Sequence, residues 1–153
     1  MSQYVGNWSG VTVERKIGKI KLRDGGEIEI SDSPGLYGLS AASAEEREAL
    51  DVIFNGGSDF ITQAVDSSNP ARGFYLALLM KEAGFKVLLA MNMIDEARAR
   101  GIELSAAEIK KAFGCDAVFC SATKEIGIDN LKDALLRASK GEADDETAPA
   151  VDY

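Results

Sequence analysis

The sequence predicts an α/β fold with a mainly parallel sheet and one antiparallel hairpin strand. Stretches rich in β-branched and apolar residues alternate with stretches of helical periodicity, which is typical of parallel strands joined by helices. One early pair of strand-like stretches is instead joined only by Asp24-Gly25-Gly26, a turn typical of a hairpin. With 153 residues, 46% of them apolar, the chain can build the core of one domain.

The first half supplies the hairpin and one helix. Residues 11–22 and 27–31 favour strands because β-branched or apolar side chains alternate with polar ones. Residues 44–54 predict a helix that stops at Gly56-Gly57, with Leu50, Ile53 and Phe54 on one face.

The second half alternates strands and helices. Residues 59–65 and 117–120 predict strands, and 87–91 is a nearly unbroken apolar run, as in a strand buried on both faces. Residues 70–83 predict a helix that begins at Pro70 and ends before Gly84, with an apolar stripe marked by Phe74, Leu78 and Met80-Lys81. Ser105 with Glu108 forms a capping box at the start of another helix, and 128–138 predicts the last.

These elements place one domain in residues 1–140. From residue 141 the sequence becomes small and acidic, with few large apolar side chains. Such a composition predicts a disordered tail or a linker over residues 141–153.

Charge and composition exclude several classes of function. The formal net charge is −8, from 25 acidic and 17 basic side chains, which argues against nucleic acid as a partner. No apolar run reaches the roughly 18–20 residues of a membrane helix, and the N-terminus has no signal-peptide pattern. We therefore expect a cytoplasmic protein that does not itself insert into a membrane.

The chain has no histidine and only two cysteines, Cys115 and Cys120. The missing imidazole excludes serine–histidine catalysis, and no side chain stands out as a catalytic residue. The cysteine spacing matches neither a zinc site nor a redox pair. Both thiols are therefore predicted to be structural, in a reducing compartment.

Three polar clusters follow three predicted strands, and each is a candidate for ligand binding. They are Asp32-Ser33-Pro34-Gly35, Asn92-Met93-Ile94-Asp95 and Ser121-Ala122-Thr123. Ligands of open α/β sheets bind at the carboxyl ends of the strands. The order and spacing of the clusters match the second half of the motif set of GTPases.

Asn92 and Asp95 are predicted to read a guanine base. A carboxylate can accept two hydrogen bonds at once, and guanine offers two adjacent donors where adenine has no matching pair. Asn92 would tie neighbouring loops and reach the base edge, and the flexible stem of Met93 can lie against the purine ring. The alternative is that Asn92 caps a strand and Asp95 caps a helix.

The cluster at Asp32 has the pattern of a magnesium and phosphate contact. Asp32 would steady Mg²⁺ through water, because this ion keeps several waters and needs few protein ligands. The backbone N–H of Gly35 would meet a γ-phosphate. The alternative is a plain Ser-Pro-Gly turn.

One further stretch identifies a family. The run Val5-Gly6-Asn7-Trp8-Ser9-Gly10-Val11-Thr12-Val13-Glu14 closely resembles the first switch of ferrous-iron transport protein B. The resemblance continues through 32–35, 65–69, 92–97 and 121–122, and it covers residues 3 to about 136. It is long and includes a tryptophan, so chance is a poor explanation.

The resemblance implies a three-layer Ras-like GTPase fold that binds GTP or GDP with Mg²⁺ and regulates Fe(II) uptake. It implies that Thr12 and Asp32 serve the metal and that Thr12 and Gly35 serve the γ-phosphate. It further implies that the base is held by Asn92, Met93, Asp95, Ser121 and Ala122. Members of the family are slow GTPases anchored to the inner membrane, so other parts of an iron transporter are the expected partners.

The family's first strand, its G-x-x-x-x-G-K-[ST] loop and its first helix do not occur in this sequence. We therefore expect weak guanine-nucleotide binding and no efficient hydrolysis by these residues alone. The absent strand would lie between residues 27–31 and 59–65, which leaves unpaired strand edges that a second copy of the chain could fill. The alternative function is a non-catalytic, GTPase-derived protein-interaction module.

Overall fold

The computed structural model describes residues 3–6, 15–22, 24–33, 36 and 44–141. They fall into two compact units, Met1–Ser58 and Asp59–Tyr153.

The first unit holds an antiparallel sheet of order β1-β2-β3, with β1 at Gln3–Gly6, β2 at Arg15–Lys21 and β3 at Glu27–Asp32. The predicted hairpin of β2 and β3 is confirmed over its described part. Gly25, at φ +85°, makes the turn, and the N–H of Leu22 donates to the carbonyl of Gly26 at 2.8 Å. A left-handed residue with no Cβ is what such a tight turn requires. Strand β1, which pairs with β2, was not predicted.

Helix α1, Ala44–Asn55, completes the first unit and matches the prediction in position. Its buried row runs through Ala49, with Leu50 and Ile53 half-buried beside it. The prediction that Phe54 lies on this face is wrong, because its side chain is 49% exposed. At 3.6 residues per turn Phe54 points about 120° away from the centre of a row between Ala49 and Ile53.

The second unit is a parallel sheet of order β4-β5-β6, with β4 at Ile61–Asp66, β5 at Val87–Asn92 and β6 at Asp116–Phe119. Its helices are α2 at Ala71–Glu82, α3 at Ile94–Ala99, α4 at Ala106–Phe113 and α5 at Ile128–Lys140. The predicted doubly buried strand is confirmed, since Leu88, Leu89, Ala90 and Met91 are all at most 6% exposed. Helix α3 was not predicted.

The core of this unit lies between the sheet and helices α2 and α4. Its fully buried members are Val65, Ala77, Leu89, Met91, Ile109 and Cys115. The rings of Phe74 and Phe113 stack over it with centroids 4.5 Å apart. A Cβ on Gly73 would come within 2.7 Å of Val65, so this glycine lets α2 lie close to β4.

The apolar stripe predicted for helix α2 is confirmed at Met80, which is buried, and at Phe74, which packs on the core, but it is wrong at Leu78. The buried side chains are Leu76, Ala77 and Met80, whereas Leu78 is 38% and Tyr75 is 55% exposed. The sequence of α2 is apolar almost all round. Such a sequence has little amphipathic contrast to orient it.

Two side chains fix the ends of the helices in this unit. Ser105 caps α4 as predicted, because its Oγ accepts from the N–H of Glu108 at 3.4 Å. The Nζ of Lys81, at the end of α2, donates to the carbonyls of Phe113 at 2.7 Å and Gly114 at 3.0 Å. These bonds satisfy carbonyls that the end of α4 would otherwise leave unpaired.

Within the second unit, β4 has β5 on one side only. The N–H groups of Ile61 and Ser67 donate to carbonyls of Lys86 and Asn92, at 2.9 Å each, so odd-numbered residues direct their backbone groups toward β5. Even-numbered residues therefore direct theirs to the open side of β4. There the Nε2 of half-buried Gln63 donates to the carbonyl of Ala64 at 2.8 Å.

No helix in the described part of the chain has the length and apolar character needed to cross a bilayer.

Candidate functional site

The carboxyl ends of β4, β5 and β6 form one rim of the parallel sheet, here called the carboxyl rim. Strand β5 ends at Asn92, and α3 begins two residues later at Ile94. Met93 makes the turn between them in the left-handed conformation, with φ 58° and ψ 34°. A non-glycine residue with positive φ is uncommon, and it marks a backbone held in place by its surroundings.

The loop after β6 is closed by its own backbone. Ser121 and Ile126 form an antiparallel bridge, in which each N–H donates to the other's carbonyl at 3.0 and 3.1 Å. Gly127 follows at φ +68°, and a Cβ there would collide with the carbonyl oxygen of Phe119. Only glycine fits this position, which fixes the loop at residues 121–126 against the end of β6.

Hydrogen bonds join the two loops directly. The Oδ1 atom of Asn92 accepts from the backbone N–H of Ala122 at 3.0 Å. The N–H of Ile94 donates to the carbonyl of Cys120 at 3.2 Å, and the N–H of Cys120 donates to Met91 at 2.9 Å. The structure thus brings together the two clusters that the sequence placed 29 residues apart, from Asn92 to Ser121.

The side chains at this junction differ in their burial and in whether their polar atoms have hydrogen-bond partners. Ser121 is 1% exposed, and its hydroxyl lies 3.3 Å from that of Thr123. Asp95 is half-buried, and its carboxylate has no hydrogen-bond or ion-pair partner among the described residues. Met93 leaves 39% of its surface exposed. The junction therefore combines the buried Ser121 with the Asp95 carboxylate, which has no partner among the described residues, and with the exposed thioether of Met93.

The end of β4 joins the same junction. The N–H of Ser67 donates to the carbonyl of Asn92 at 2.9 Å, and Ser67 is fully buried. Its neighbour Asp66 accepts from the N–H and the hydroxyl of Ser68 at 2.8 and 2.7 Å. Both bonds lower the pKa of Asp66 below its ordinary value, and the bond from the Ser68 hydroxyl is the larger cause. All three strand ends are therefore linked through Asn92.

The roles predicted for Thr12, Asp32 and Gly35 at phosphate and magnesium stay predictions. Asp32 is the last residue of β3, in the first unit, and its side chain is exposed. Thr12 and Gly35 lie outside the described residues. Within the described part of the chain, no group of three or more histidine, cysteine, aspartate or glutamate side chains could hold a metal ion.

Cys115 and Cys120 are both buried free thiols. Burial raises the pKa of each above its ordinary value. Neutral, enclosed thiols of this kind contribute to packing.

Sequence reasoning missed two residues that shape the site. Gly127 follows the Ser121 cluster at the start of a helix, and a glycine in that place was the available signal for a left-handed turn. Ser67 lies within the resembling stretch 65–69, but no local pattern predicts its burial, which depends on the register of β4 against β5.

Comparison with known proteins places the chain in a family. The family model described as "Ferrous iron transport protein B" matches residues 1–135. The Fe(2+) transporter FeoB of Escherichia coli K12 is 36% identical over 144 residues, which is 92% of this chain and 18% of that protein. The corresponding protein of Legionella pneumophila strain Paris is 38% identical over 145 residues, 91% of this chain and 19% of its own length. The chain spans less than a fifth of these relatives.

Solved structures agree with the sequence relatives. The cytosolic domain of T. maritima FeoB in a GDP form superposes with a TM-score of 0.83 at 36% identity, over 94% of this chain and 55% of that chain. Its GMPPNP form gives 0.82 at 38% identity, over 88% and 53%. The T. maritima G domain alone gives 0.79 at 37% identity, over 90% and 83%. The predicted Ras-like α/β fold is confirmed by these likenesses, and the chain belongs to the ferrous iron transport protein B family as a G domain.

Proposed function

We propose that this chain is the guanine-nucleotide-binding module of a ferrous iron transporter and that its nucleotide state regulates Fe(II) uptake. The observation that carries the proposal is the 3.0 Å hydrogen bond between Asn92 Oδ1 and the N–H of Ala122. It fixes the loop after β5 against the loop after β6, with the unpaired carboxylate of Asp95 beside the junction.

Base recognition is assigned to Asp95 and Asn92. The Asp95 carboxylate is half-buried and has no partner within the described structure, so two adjacent N–H donors of a base would satisfy it. Because the N–H of Ala122 needs an acceptor, the Asn92 amide must turn its oxygen to Ala122. Its NH₂ group then remains available to an acceptor on the base edge. Guanine supplies both complements, and adenine does not.

The surrounding residues would support the ring. Met93 is exposed at the left-handed turn, where its flexible side chain can cover a purine face. Ser121 and Ala122 hold the loop on the other side, and the buried Ser121 hydroxyl is engaged with Thr123. Neither contact selects between bases, so we assign selectivity to Asp95.

For the phosphates and Mg²⁺, we propose Thr12, Asp32 and Gly35 as the residues in this chain that serve them. Mg²⁺, when bound, would neutralise phosphate charge. The 153 residues include no G-x-x-x-x-G-K-[ST] run, so its lysine and backbone donors are not among them. Each charge-assisted hydrogen bond contributes about 1.5–3 kcal/mol, and losing several would remove most of a micromolar affinity. We propose that these residues alone bind GDP weakly and do not hydrolyse GTP efficiently.

The regulatory role rests on the relatives. Solved relatives are described as the cytosolic domain of an iron transporter in GDP, GMPPNP and apo forms. We infer that this chain acts on the cytoplasmic side and that its partners are other parts of such a transporter. Nucleotide-dependent switching would then be transmitted to those partners.

Amide chemical shifts of the isotope-labelled chain, followed during titration with GDP–Mg²⁺ and with ADP–Mg²⁺ to millimolar concentration, test the proposal. We expect GDP to move the amides of Asn92 and Ala122 with a Kd of about 0.1 mM or weaker, and ADP to move them at least about tenfold less readily. Equal responses to the two nucleotides would refute guanine reading. Saturation at low micromolar GDP would refute the weak-binding part alone.

A second candidate is a non-catalytic interaction module, favoured by two exposed apolar side chains one turn apart on α2. Tyr75 is 55% and Leu78 is 38% exposed. If this surface is the functional one, replacing both with serine would abolish association with transporter segments and leave the GDP titration unchanged. Under the first proposal, the Asp95 variant described in the Discussion is the one that changes function.

A further inference from the structure

The opposite rim of the parallel sheet, where β4, β5 and β6 begin, carries a cavity of about 390 Å³ that is partly open to solvent. We call this edge the amino rim. Val87 and Leu88, at the start of β5, lie in its lining together with Phe60, which precedes β4. The volume lies within the range of about 300–1,000 Å³ that accommodates small organic ligands.

The cavity is distinct from the candidate nucleotide site. From Leu88 to Asn92 the strand rises by four residues, or roughly 13 Å at about 3.3 Å per residue. None of the site residues assigned above lines the cavity. Its ligand would therefore leave the base-reading loops untouched.

Half of the lining is apolar, and we call this part the apolar floor. Its residues are Phe60, Phe85, Val87, Leu88, Ala134 and Ala138. At roughly 25 cal/mol per Å² of apolar surface removed from water, a hydrocarbon tail lying on such a floor would contribute most of the binding free energy.

Three basic residues line the cavity, in a chain whose net charge is −8. Lys81, Lys86 and Arg137 line it. The one acidic residue in the lining, Asp116, is already paired with Lys110 at 2.9 Å. Arg137 already has an interaction of its own, so the positive charge open to an anionic group is that of the two lysines.

The two lysines differ in how many N–H donors remain for a ligand. Lys81 spends two of its three N–H donors on the carbonyls of Phe113 and Gly114, so one is left. The ammonium of Lys86 has no hydrogen-bond or ion-pair partner within residues 59–141, the second unit as described. Lys86 is therefore the residue best placed to meet an anion.

We propose that the amino rim binds an amphipathic carboxylate, with its hydrocarbon part on the apolar floor and its carboxylate at Lys86. This site is independent of the proposed nucleotide binding, and its test is run without nucleotide.

The test is a calorimetric titration of the 153-residue chain with octanoate and with two probes of the same tail length, octanamide and octylammonium. We expect octanoate to bind about fivefold more tightly than octanamide, from one partly exposed charged contact, and octylammonium to bind most weakly. Amide shifts should move at Phe85, Lys86 and Val87 and stay fixed at Asn92 and Ala122. Equal affinity for the three probes, or shifts at Asn92 in place of Lys86, would overturn the proposal.

Two variants separate charge from shape. Lys86→Gln should remove the preference for octanoate over octanamide, whereas Lys111→Gln, an exposed lysine outside the lining, should leave the preference unchanged. Ala138→Phe would fill the cavity and should weaken all three probes at least about fivefold, with an unchanged circular dichroism spectrum as the control for folding. An unaltered preference in Lys86→Gln would refute the assignment of the carboxylate.

The acidic residues that follow Gly141 offer a competing occupant. Gly141 lines the cavity, and Glu142, Asp144, Asp145 and Glu146 come directly after it in the sequence. A chain ending at Gly141 should bind octanoate with the same affinity as the full 153 residues. If only the shortened chain binds octanoate, the chain's own C-terminal segment fills the site, and the proposal is wrong.

Discussion

The two rims of the parallel sheet are built from the same three strands but carry opposite chemistry. The carboxyl rim is a polar network in which Asn92 is bonded to the backbones of both Ala122 and Ser67. The amino rim is an apolar hollow edged by Lys81, Lys86 and Arg137. The carboxyl rim presents the Asp95 carboxylate and the Asn92 amide to a ligand. The amino rim presents an apolar cavity and positive charge.

The difference teaches where specificity can arise in this fold. At the carboxyl rim, hydrogen bonds across strands hold the loops rigidly, so a ligand that fits imperfectly leaves polar groups unpaired. At the amino rim, Lys86 carries its charge on a flexible stem and the lining is largely apolar, so many tails of similar length would be accepted. Selective recognition is therefore expected at the first rim and tolerant binding at the second.

The strongest way to break the carboxyl rim is Gly127→Ala. The new Cβ would collide with the carbonyl of Phe119 in a left-handed residue, so we expect a loss of about 3 kcal/mol in the free energy of unfolding. Urea denaturation measures it. Gly101→Ala is the matched control, because Gly101 has φ +71° with open space around it, and only about 1 kcal/mol should be lost there. Equal losses would show that the loop is not fixed against β6.

Asp95→Asn sharpens the comparison by changing base preference without changing shape. An amide offers one donor and one acceptor, which no longer match guanine but do match the N–H and neighbouring carbonyl of xanthine. We expect GDP to weaken about 100-fold relative to XDP, as measured by competition titration. Glu96→Gln, the adjacent exposed residue, should leave the ratio unchanged. A retained guanine preference in Asp95→Asn would remove this carboxylate from base reading.

Asn92→Ala should uncouple the two loops of the carboxyl rim. It removes the acceptor for the N–H of Ala122, and we expect about 1 kcal/mol of stability to be lost, together with faster hydrogen exchange at Ala122. Asn55→Ala is the control, since Asn55 is exposed and bonded only to Asp51 one turn away, and its loss should be near zero. Unchanged exchange at Ala122 would show that this bond does not hold the loop.

The smallest expected effect concerns the pKa of Asp66, at the end of β4. A lowered pKa in the folded state gives stability that is present above the unfolded value of about 3.9 and is lost as pH falls through the folded value. Ser68→Ala should raise this pKa toward its ordinary value and so reduce the stability that is lost at low pH. That stability is well under about 1 kcal/mol because the group is exposed. Carboxyl carbon shifts against pH measure it. A pKa unchanged by the substitution would contradict the role of Ser68.

Much of the second unit could be predicted from sequence. The apolar run in β5, the cap at Ser105 and the polar clusters after β5 and β6 each have a local cause. The prediction that Asn92 ties neighbouring loops agrees with its bond to Ala122, because ligand-binding loops of an α/β sheet follow the carboxyl ends of the strands. The assignment of Asp95 to guanine stays a prediction until nucleotide binding is measured.

What sequence could not supply depends on packing. The faces of α1 and α2 were wrongly assigned at Phe54 and Leu78, because side-chain size says little about orientation when small residues such as Ala49 and Ala77 are the ones buried. Strand β1 is four residues long and exists through its pairing with β2. The amino-rim cavity is lined by residues from four elements and from the segments between them, and no local sequence pattern predicts that they meet.

The Gln63 side chain occupies one backbone acceptor on the side of β4 that faces away from β5. The carbonyl of Ala64 is a backbone acceptor that a strand pairing on this side of β4 would use. Since the Gln63 amide already donates to that oxygen, an incoming N–H would share the acceptor with the side chain of the same strand.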